Sequence, residues 1–269
     1  MVHGLPKIKA LPDCEDCILG KQSKQPFRHN KWRASHKLEL VYSDLCGPMQ
    51  VPSLGGSKYF MLFIFYFSRM IWVYFIDKKS EAFDKFKLFK AMLEKDFRAQ
   101  IKAFKTNRGG EFTSKEFNIF CDQHGIKRIL TPPYTPEHNG VTERKNRTVI
   151  GLMKSMLKAK KLPKMFWAEA TATAVTILNY SPTKALVNKT PFKVWTGKKP
   201  RVKNMRVFGC IAFGLTPSQM KQKLDDESEK CIFNGYSSQT LESYRLYNPI
   251  TKKIISRRDP RFIESAHWN

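Results

Sequence analysis

Two carboxylates and one amide offer the chemistry in this sequence. Asp44 ends a short apolar run, Leu38-Glu-Leu-Val-Tyr42-Ser-Asp44. Asn107 follows a second run, Ile101-Lys-Ala-Phe104, inside Lys105-Thr-Asn107-Arg-Gly-Gly-Glu-Phe112. Glu143 lies in Pro136-Glu-His-Asn-Gly-Val-Thr-Glu143-Arg-Lys-Asn-Arg147, with 35 residues between it and Asn107. Carboxylates are the hard, anionic oxygen donors that magnesium prefers. The Asn107 amide can offer only a neutral carbonyl oxygen, and Arg108 puts a fixed cation beside it in the chain, so acid, amide and acid read as a metal-binding trio with one member altered. Alone, Asp44 would be a turn acid and Glu143 a helix-surface acid; order and flanking residues set them apart.

Those flanking residues resemble the integrases of copia-type long-terminal-repeat retrotransposons. Tyr42-Ser-Asp44-Leu-Cys-Gly-Pro48 is similar to the family's first acidic motif, and Pro136-Glu-His-Asn-Gly-Val-Thr-Glu143-Arg-Lys-Asn-Arg-Thr148 to its third. The second motif departs: Asn107-Arg108 stands where the family has Asp-Asn. A further departure is Phe65-Tyr66, where the family has Asp-Asp ahead of Phe-Ser-Arg. The resemblance implies an RNase H-like fold in which three carboxylates hold two magnesium (or manganese) ions for 3′-end processing and strand transfer on DNA. Asp44 would bridge both ions and Glu143 would hold one. Asn107 withholds the anion expected for the other, which weakens the second metal site, and weak or absent strand transfer follows. The same resemblance implies element ends and target DNA as partners, self-association, and work in the nucleus. Two alternatives stay open: a non-catalytic nucleic-acid-binding module on the integrase fold, and a structure-selective nuclease.

Composition agrees with an anionic partner. The 269 residues carry 48 Lys and Arg against 23 Asp and Glu, a net charge of +25. Such self-repulsion destabilises a compact chain unless an anion such as nucleic acid is to be met. The longest apolar run, Tyr59–Phe67, is too short to span a membrane, and the opening residues lack the apolar core of a secretory signal, so no membrane association is expected. The six cysteines are read as reduced thiols, mostly in the core.

Cys14 and Cys17 have the spacing of half a zinc site, but four ligands are needed. In the resembled family two histidines precede the point where this chain begins, while His29 and His36 miss the usual spacing. The segment is therefore read as an incomplete remnant, with zinc not expected. Lys21, Lys24, Arg28, Lys31, Arg33 and Lys37 follow without any acid, interleaved with Phe27 and Trp32. This stretch either tracks a phosphate backbone or is a solvated linker.

From Leu38 the pattern becomes globular. Strands are expected at 38–43, 59–67, 70–76, 101–106 and 126–130. A helix capped by Ser80 is expected before the fourth of these, and one opened by the Thr113-Ser-Lys-Glu116 capping box and closed at Gly125 before the fifth. Helical spacing returns from Asn139, with Arg144, Lys145, Arg147, Lys154, Lys158, Lys160, Lys161 and Lys164 and no acid between 144 and 164, which marks a DNA-facing surface. Met165–Asn179 reads as a buried helix. Short β runs at 207–213, 231–236, 244–247 and 253–256, with turns at Asn234-Gly235 and Asn248-Pro249, resemble the small SH3-like domain that follows the family's core. The whole is thus α/β: a mixed five-stranded sheet with flanking helices, then a small β-rich domain. The expected divisions are 1–34 (zinc-binding remnant and basic linker), 35–181 (catalytic core), 182–204 (linker) and 205–265 (SH3-like domain).

Overall fold

The polar and apolar periods sort the chain into two five-stranded sheets. The computed structural model describes residues 34–107, 109–131, 140–217, 219, 221–237 and 241–268. Cys14, Cys17, Lys21, Lys24, Arg28 and Arg108 lie outside them. In the first sheet, β1 (Val41–Cys46), β2 (Tyr59–Phe65), β3 (Ile71–Ile76), β4 (Ala103–Thr106) and β5 (Lys127–Leu130) are ordered β3-β2-β1-β4-β5. The first three strands pair antiparallel, while β1–β4 and β4–β5 are parallel. Between the strands run α1 (Ala82–Phe97) and α2 (Lys115–Gln123); α3 (Gly140–Ala159), α4 (Trp167–Tyr180) and α5 (Pro191–Thr196) follow.

β2 explains why its sequence is apolar without alternation: it is covered on both faces. Met61, Phe63 and Phe65 point towards Phe86 and Phe89 of α1 and Phe117 of α2. Phe60, Leu62 and Ile64 point towards Val149 and Met153 of α3 and Trp167 of α4. A strand buried on both faces reads as one hydrophobic run because its period-2 alternation has no polar side to show. Phe63 stacks on Phe89 with ring centroids 3.9 Å apart, at the centre of the first layer.

Several boundaries differ from the sequence expectation for identifiable reasons. β1 begins at Val41 because Glu39 closes a turn first, its carboxylate accepting from the Ser35 and His36 amides; Asp44 therefore lies within the strand. Ser80 is not a helix cap, since a 3-10 turn, Lys79–Glu81, leads into α1 and the Glu81 carboxylate accepts from the Lys78 amide at 2.8 Å. The second cap shifts by one residue: Ser114 accepts from the Phe117 amide. Gly125, at φ 62°, closes α2 as expected. Within the stretch read as a linker, Thr190 caps α5 and Trp195 is buried against Phe65, Trp72 and Phe97.

The second sheet comprises β6 (Ile211–Leu215), β7 (Ser228–Tyr236), β8 (Tyr244–Asn248), β9 (Lys253–Arg257) and β10 (Arg261–Ile263), all antiparallel in the order β10-β6-β7-β8-β9. Asn234-Gly235 is not a turn; it lies inside β7, where Gly235 at φ 117° makes a bulge. The Asn248 turn is as expected, its side-chain oxygen accepting from the Ile250 and Thr251 amides. Both sheets belong to one compact unit, 34–269, in which Ile232 and Tyr247 join the core layer of α3 and α4. Among the described residues no helix is long and apolar enough to cross a membrane. Cys46, Cys121, Cys210 and Cys231 are free thiols, each pushed by burial to about 11 or 12.

Where α4 meets the second sheet, a buried carboxylate is held above its ordinary range. Glu169 of α4 is nearly enclosed, 3.9 Å from Arg245 of β8, and its second oxygen has no hydrogen-bond partner. Burial raises its pKa, only partly offset by its own backbone amide and by Arg245. A carboxyl group raised in the fold binds more protons folded than unfolded, so its penalty sets in as pH climbs above the ordinary value of about 4.3. Glu169→Gln removes that penalty. The melting temperature of the variant relative to the parent is expected to rise between pH 4 and pH 8; a difference independent of pH would show that Glu169 does not titrate in this range.

Candidate active site at the carboxyl ends of β1 and β4

The parallel pairing of β1 with β4 brings their carboxyl ends side by side, the place where α/β sheets commonly bind ligands. Asp44 projects from β1, and Asn107 follows β4 directly. Glu143 stands in the first turn of α3, exposed; Asn146, one turn on, is buried with Thr142, Val149, Met153 and Leu157 on the face that packs against the sheet. Asn107 thus meets Asp44 directly, while Glu143 stands one helical turn from Asn146, which also bonds to Asp44.

Hydrogen bonding there is specific. Asn107 donates from Nδ2 to Asp44 Oδ1 at 2.7 Å, and Asn146 donates from Nδ2 to Asp44 Oδ2 at 2.8 Å. The Leu45 amide also donates to Asp44 Oδ1, at 3.1 Å. Asn107 cannot turn its carbonyl towards Asp44 without losing a bond, because Oδ1 accepts from the Gly109 amide at 2.9 Å. A Cβ at position 109 would collide with the Glu111 carboxylate, which folds back over this loop. Asp44 is raised to about 6, chiefly by burial; the Leu45 amide opposes the shift, whereas the charges of Glu111 and Glu143 reinforce it.

These contacts test the fit to a metal pair. Both carboxylate oxygens of Asp44 face amide N–H donors, and the oxygen of Asn107 faces a backbone N–H. Among the described residues no group of three or more His, Cys, Asp or Glu is placed to hold a metal ion. The arrangement is a carboxylate bracketed by two amides, and it does not fit a two-magnesium site. Such amides satisfy a buried anion by charge-assisted hydrogen bonds instead.

Sequence reasoning passed over Asn146 and Glu111. Asn146 could have been found from its spacing, three residues after Glu143 and three before Val149 on the inward stripe of α3. Glu111 had no such signal, since its proximity depends on the fold of the 107–111 loop.

The basic residues of α3 separate into two sets. Arg144, Arg147, Lys154 and Lys158 are exposed, with the last three on one stripe at helical spacing; Lys145 is half-buried on the other side, and burial and Arg69 lower its pKa. Lys160 leaves the expected DNA-facing set. It is buried, and its Nζ donates to the carbonyls of Glu264 at 2.6 Å and Ala266 at 3.2 Å.

Comparison with known proteins adds the lineage. The Integrase core domain family matches residues 34–136, and the Retroviral polymerase SH3-like domain family matches residues 210–269. The chain is 44% identical over 252 residues to the Retrovirus-related Pol polyprotein from transposon TNT 1-94 of Nicotiana tabacum, covering 94% of this chain and 19% of that one. It is 33% identical over 265 residues to the corresponding polyprotein from transposon RE2 of Arabidopsis thaliana, covering 97% of this chain and 18% of that one. It thus spans less than a fifth of the length of these curated relatives. In fold it is similar to a chain of a simian T-cell lymphotropic virus intasome solved in complex with PP2A regulatory subunit B56 gamma, with a TM-score of 0.54, 14% identity, and coverage of 91% and 84% of the two chains. An integrase core followed by a retroviral SH3-like domain, in a chain this similar to plant transposon polyproteins, places it in the family of copia-type retrotransposon integrases.

Proposed function

We propose that this chain is a DNA-binding integrase region whose strand-transfer chemistry is impaired at position 107. One observation carries the reading of impairment: the Asn107 amide donates to Asp44, so a hydrogen bond occupies the side of the carboxylate that a metal ion would need. Support for DNA binding is electrostatic. The net charge is +25, and Arg144, Arg147, Lys154 and Lys158 lie exposed along α3. Phosphate contacts by Lys and Arg do not depend on a metal site, so binding to element ends and target DNA outlasts the loss of chemistry. Self-association and a nuclear location belong to the same proposal. The same amide contact also favours the second reading, a module that only binds.

The test joins binding to chemistry. Duplex DNA should bind with log affinity falling linearly in log salt, and replacing the four exposed α3 cations by Gln should flatten that slope by about 3 to 4. In magnesium the parent chain should give little or no joined product, and Asn107→Asp should gain it. A flat salt dependence overturns DNA binding; joining by the parent at the rate of Asn107→Asp overturns impairment. No gain in Asn107→Asp, with binding intact, decides for the binding-only module.

A further inference from the structure

Two residues before Asp44 on β1, Tyr42 is the centre of a group of rings and cations that shows no ion pair among the described residues. The β1–β4 register sets Lys105 opposite Tyr42, and its Nζ lies 5.5 Å from the centroid of that ring. Tyr42 adjoins Tyr66, with ring centroids 5.7 Å apart. Over Tyr66 lies the Arg69 guanidinium, its Cζ 4.3 Å from the ring centroid. Arg69 belongs to the tight connection between β2 and β3 and has φ 60°, a left-handed conformation that a non-glycine residue adopts at a cost. Its amide donates to the Phe65 carbonyl at 2.8 Å, which fixes the turn and with it the direction of the side chain.

Both cations are half-buried, and neither forms an ion pair or side-chain hydrogen bond among the described residues. A ring face offsets only part of what an ammonium or guanidinium loses on leaving water. Among the described residues no side chain or carbonyl takes their N–H donors, and ring faces cannot accept them all. The floor matters as well. An aspartate in place of Tyr66 would sit under Arg69 and supply the counter-charge itself.

We propose that Arg69 and Lys105, floored by Tyr42 and Tyr66, form a pocket that takes a phosphate group. Planar guanidinium N–H pairs and mobile ammonium donors suit a phosphate's several acceptor oxygens. The phosphate is either a nucleic-acid backbone phosphodiester passing the Asp44 site or a free phosphate; only the first source rests on the DNA-binding reading above.

The experiment uses the full chain with Arg69→Gln, Lys105→Gln and Tyr66→Asp. Inorganic phosphate binding is followed by phosphorus NMR at constant ionic strength, and duplex DNA binding by fluorescence anisotropy across a salt series. Phosphate should bind the parent, and each Gln variant should weaken it by about tenfold, the worth of one charge-assisted contact. Tyr66→Asp should abolish it; the Gln variants, which leave the packed rings in place, keep the test valid if the Tyr66 variant misfolds. A matching loss of DNA affinity, with a salt slope reduced by about one per cation, identifies a backbone phosphate. Unchanged DNA binding identifies a free phosphate. Phosphate binding without any DNA binding by the parent leaves the pocket standing and removes the DNA reading. No phosphate binding by the parent, or equal affinity in parent and Gln variants, overturns the pocket.

Discussion

Asn107→Asp is expected to make the stability of this protein depend on divalent metal, which the parent's does not. In the parent the amide donates to Asp44 Oδ1 at 2.7 Å. An aspartate there has no N–H to donate, so two carboxylate oxygens would face each other at hydrogen-bond distance, repelling once the proton they share is lost at high pH. Two unit charges about 4 Å apart repel by roughly 4 kcal/mol at an effective dielectric of 20. Relaxation will lower this, and a loss of about 2 to 4 kcal/mol is expected in metal-free buffer at pH 8, about 4 to 16 °C in melting temperature for a chain of this size. At pH 5 the loss should shrink, because carboxylates sharing a site retain a proton between them. Magnesium or manganese should replace that proton. At a hundredfold excess over the dissociation constant, ligand binding restores about 2.7 kcal/mol. Calorimetry with manganese should find at most one weak ion in the parent and two in Asn107→Asp carrying also Arg108→Asn, which removes the adjacent fixed cation. Two equivalent ions in the parent, or a melting temperature as metal-sensitive as the variant's, would show that Asn107 is tolerated as a ligand.

What the sequence showed of this site was its membership, and what it hid was polarity. Asp44, Asn107 and Glu143 are recognisable from their flanking residues, and the parallel β1–β4 pair brings the first two together as a mixed sheet requires. An asparagine, however, can present either an oxygen or an NH2. Only the fold of the 107–111 loop, where the Gly109 amide takes the oxygen, decides that the NH2 faces Asp44. The core was legible wherever burial on both faces produced an apolar run, as in β2. Asn234-Gly235 misled because the dipeptide favours positive φ in a hairpin turn and in a bulge alike; the difference lies in its neighbours, since β7 continues to pair with β8 at Tyr236. β10, three residues long, carries too little periodicity to be seen.

The stretch 182–204 shows how composition can outweigh a local signal, and it carries the second large effect. Its prolines and lysines read as a linker, yet Thr190 accepts from the Lys193 amide, Pro191 occupies the first turn and Gly197 closes the helix at φ 78°, a complete start and stop for a short helix. The reason this helix holds is Trp195, 5% exposed, with ring centroids 4.5 Å from Phe65, 4.8 Å from Trp72 and 4.7 Å from Phe97. Lys37 lies over the same ring at 5.6 Å, so the residue ties the start of the fold, the β2–β3 edge and the end of α1 together. Truncating a tryptophan so enclosed costs the transfer of its surface and leaves a cavity, about 3 to 5 kcal/mol together. Trp195→Ala should therefore lower the unfolding free energy of the whole chain by that amount, read from a lowered denaturant midpoint, whereas a linker residue would change it by less than about 0.5 kcal/mol. The same contacts forecast that a fragment ending at residue 181 will be destabilised, since it loses the ring that fills this space, and that extension to residue 200 will recover stability. A fragment ending at 181 that is as stable as one ending at 200, or a Trp195→Ala midpoint equal to the parent's, would return this segment to the role of a connector.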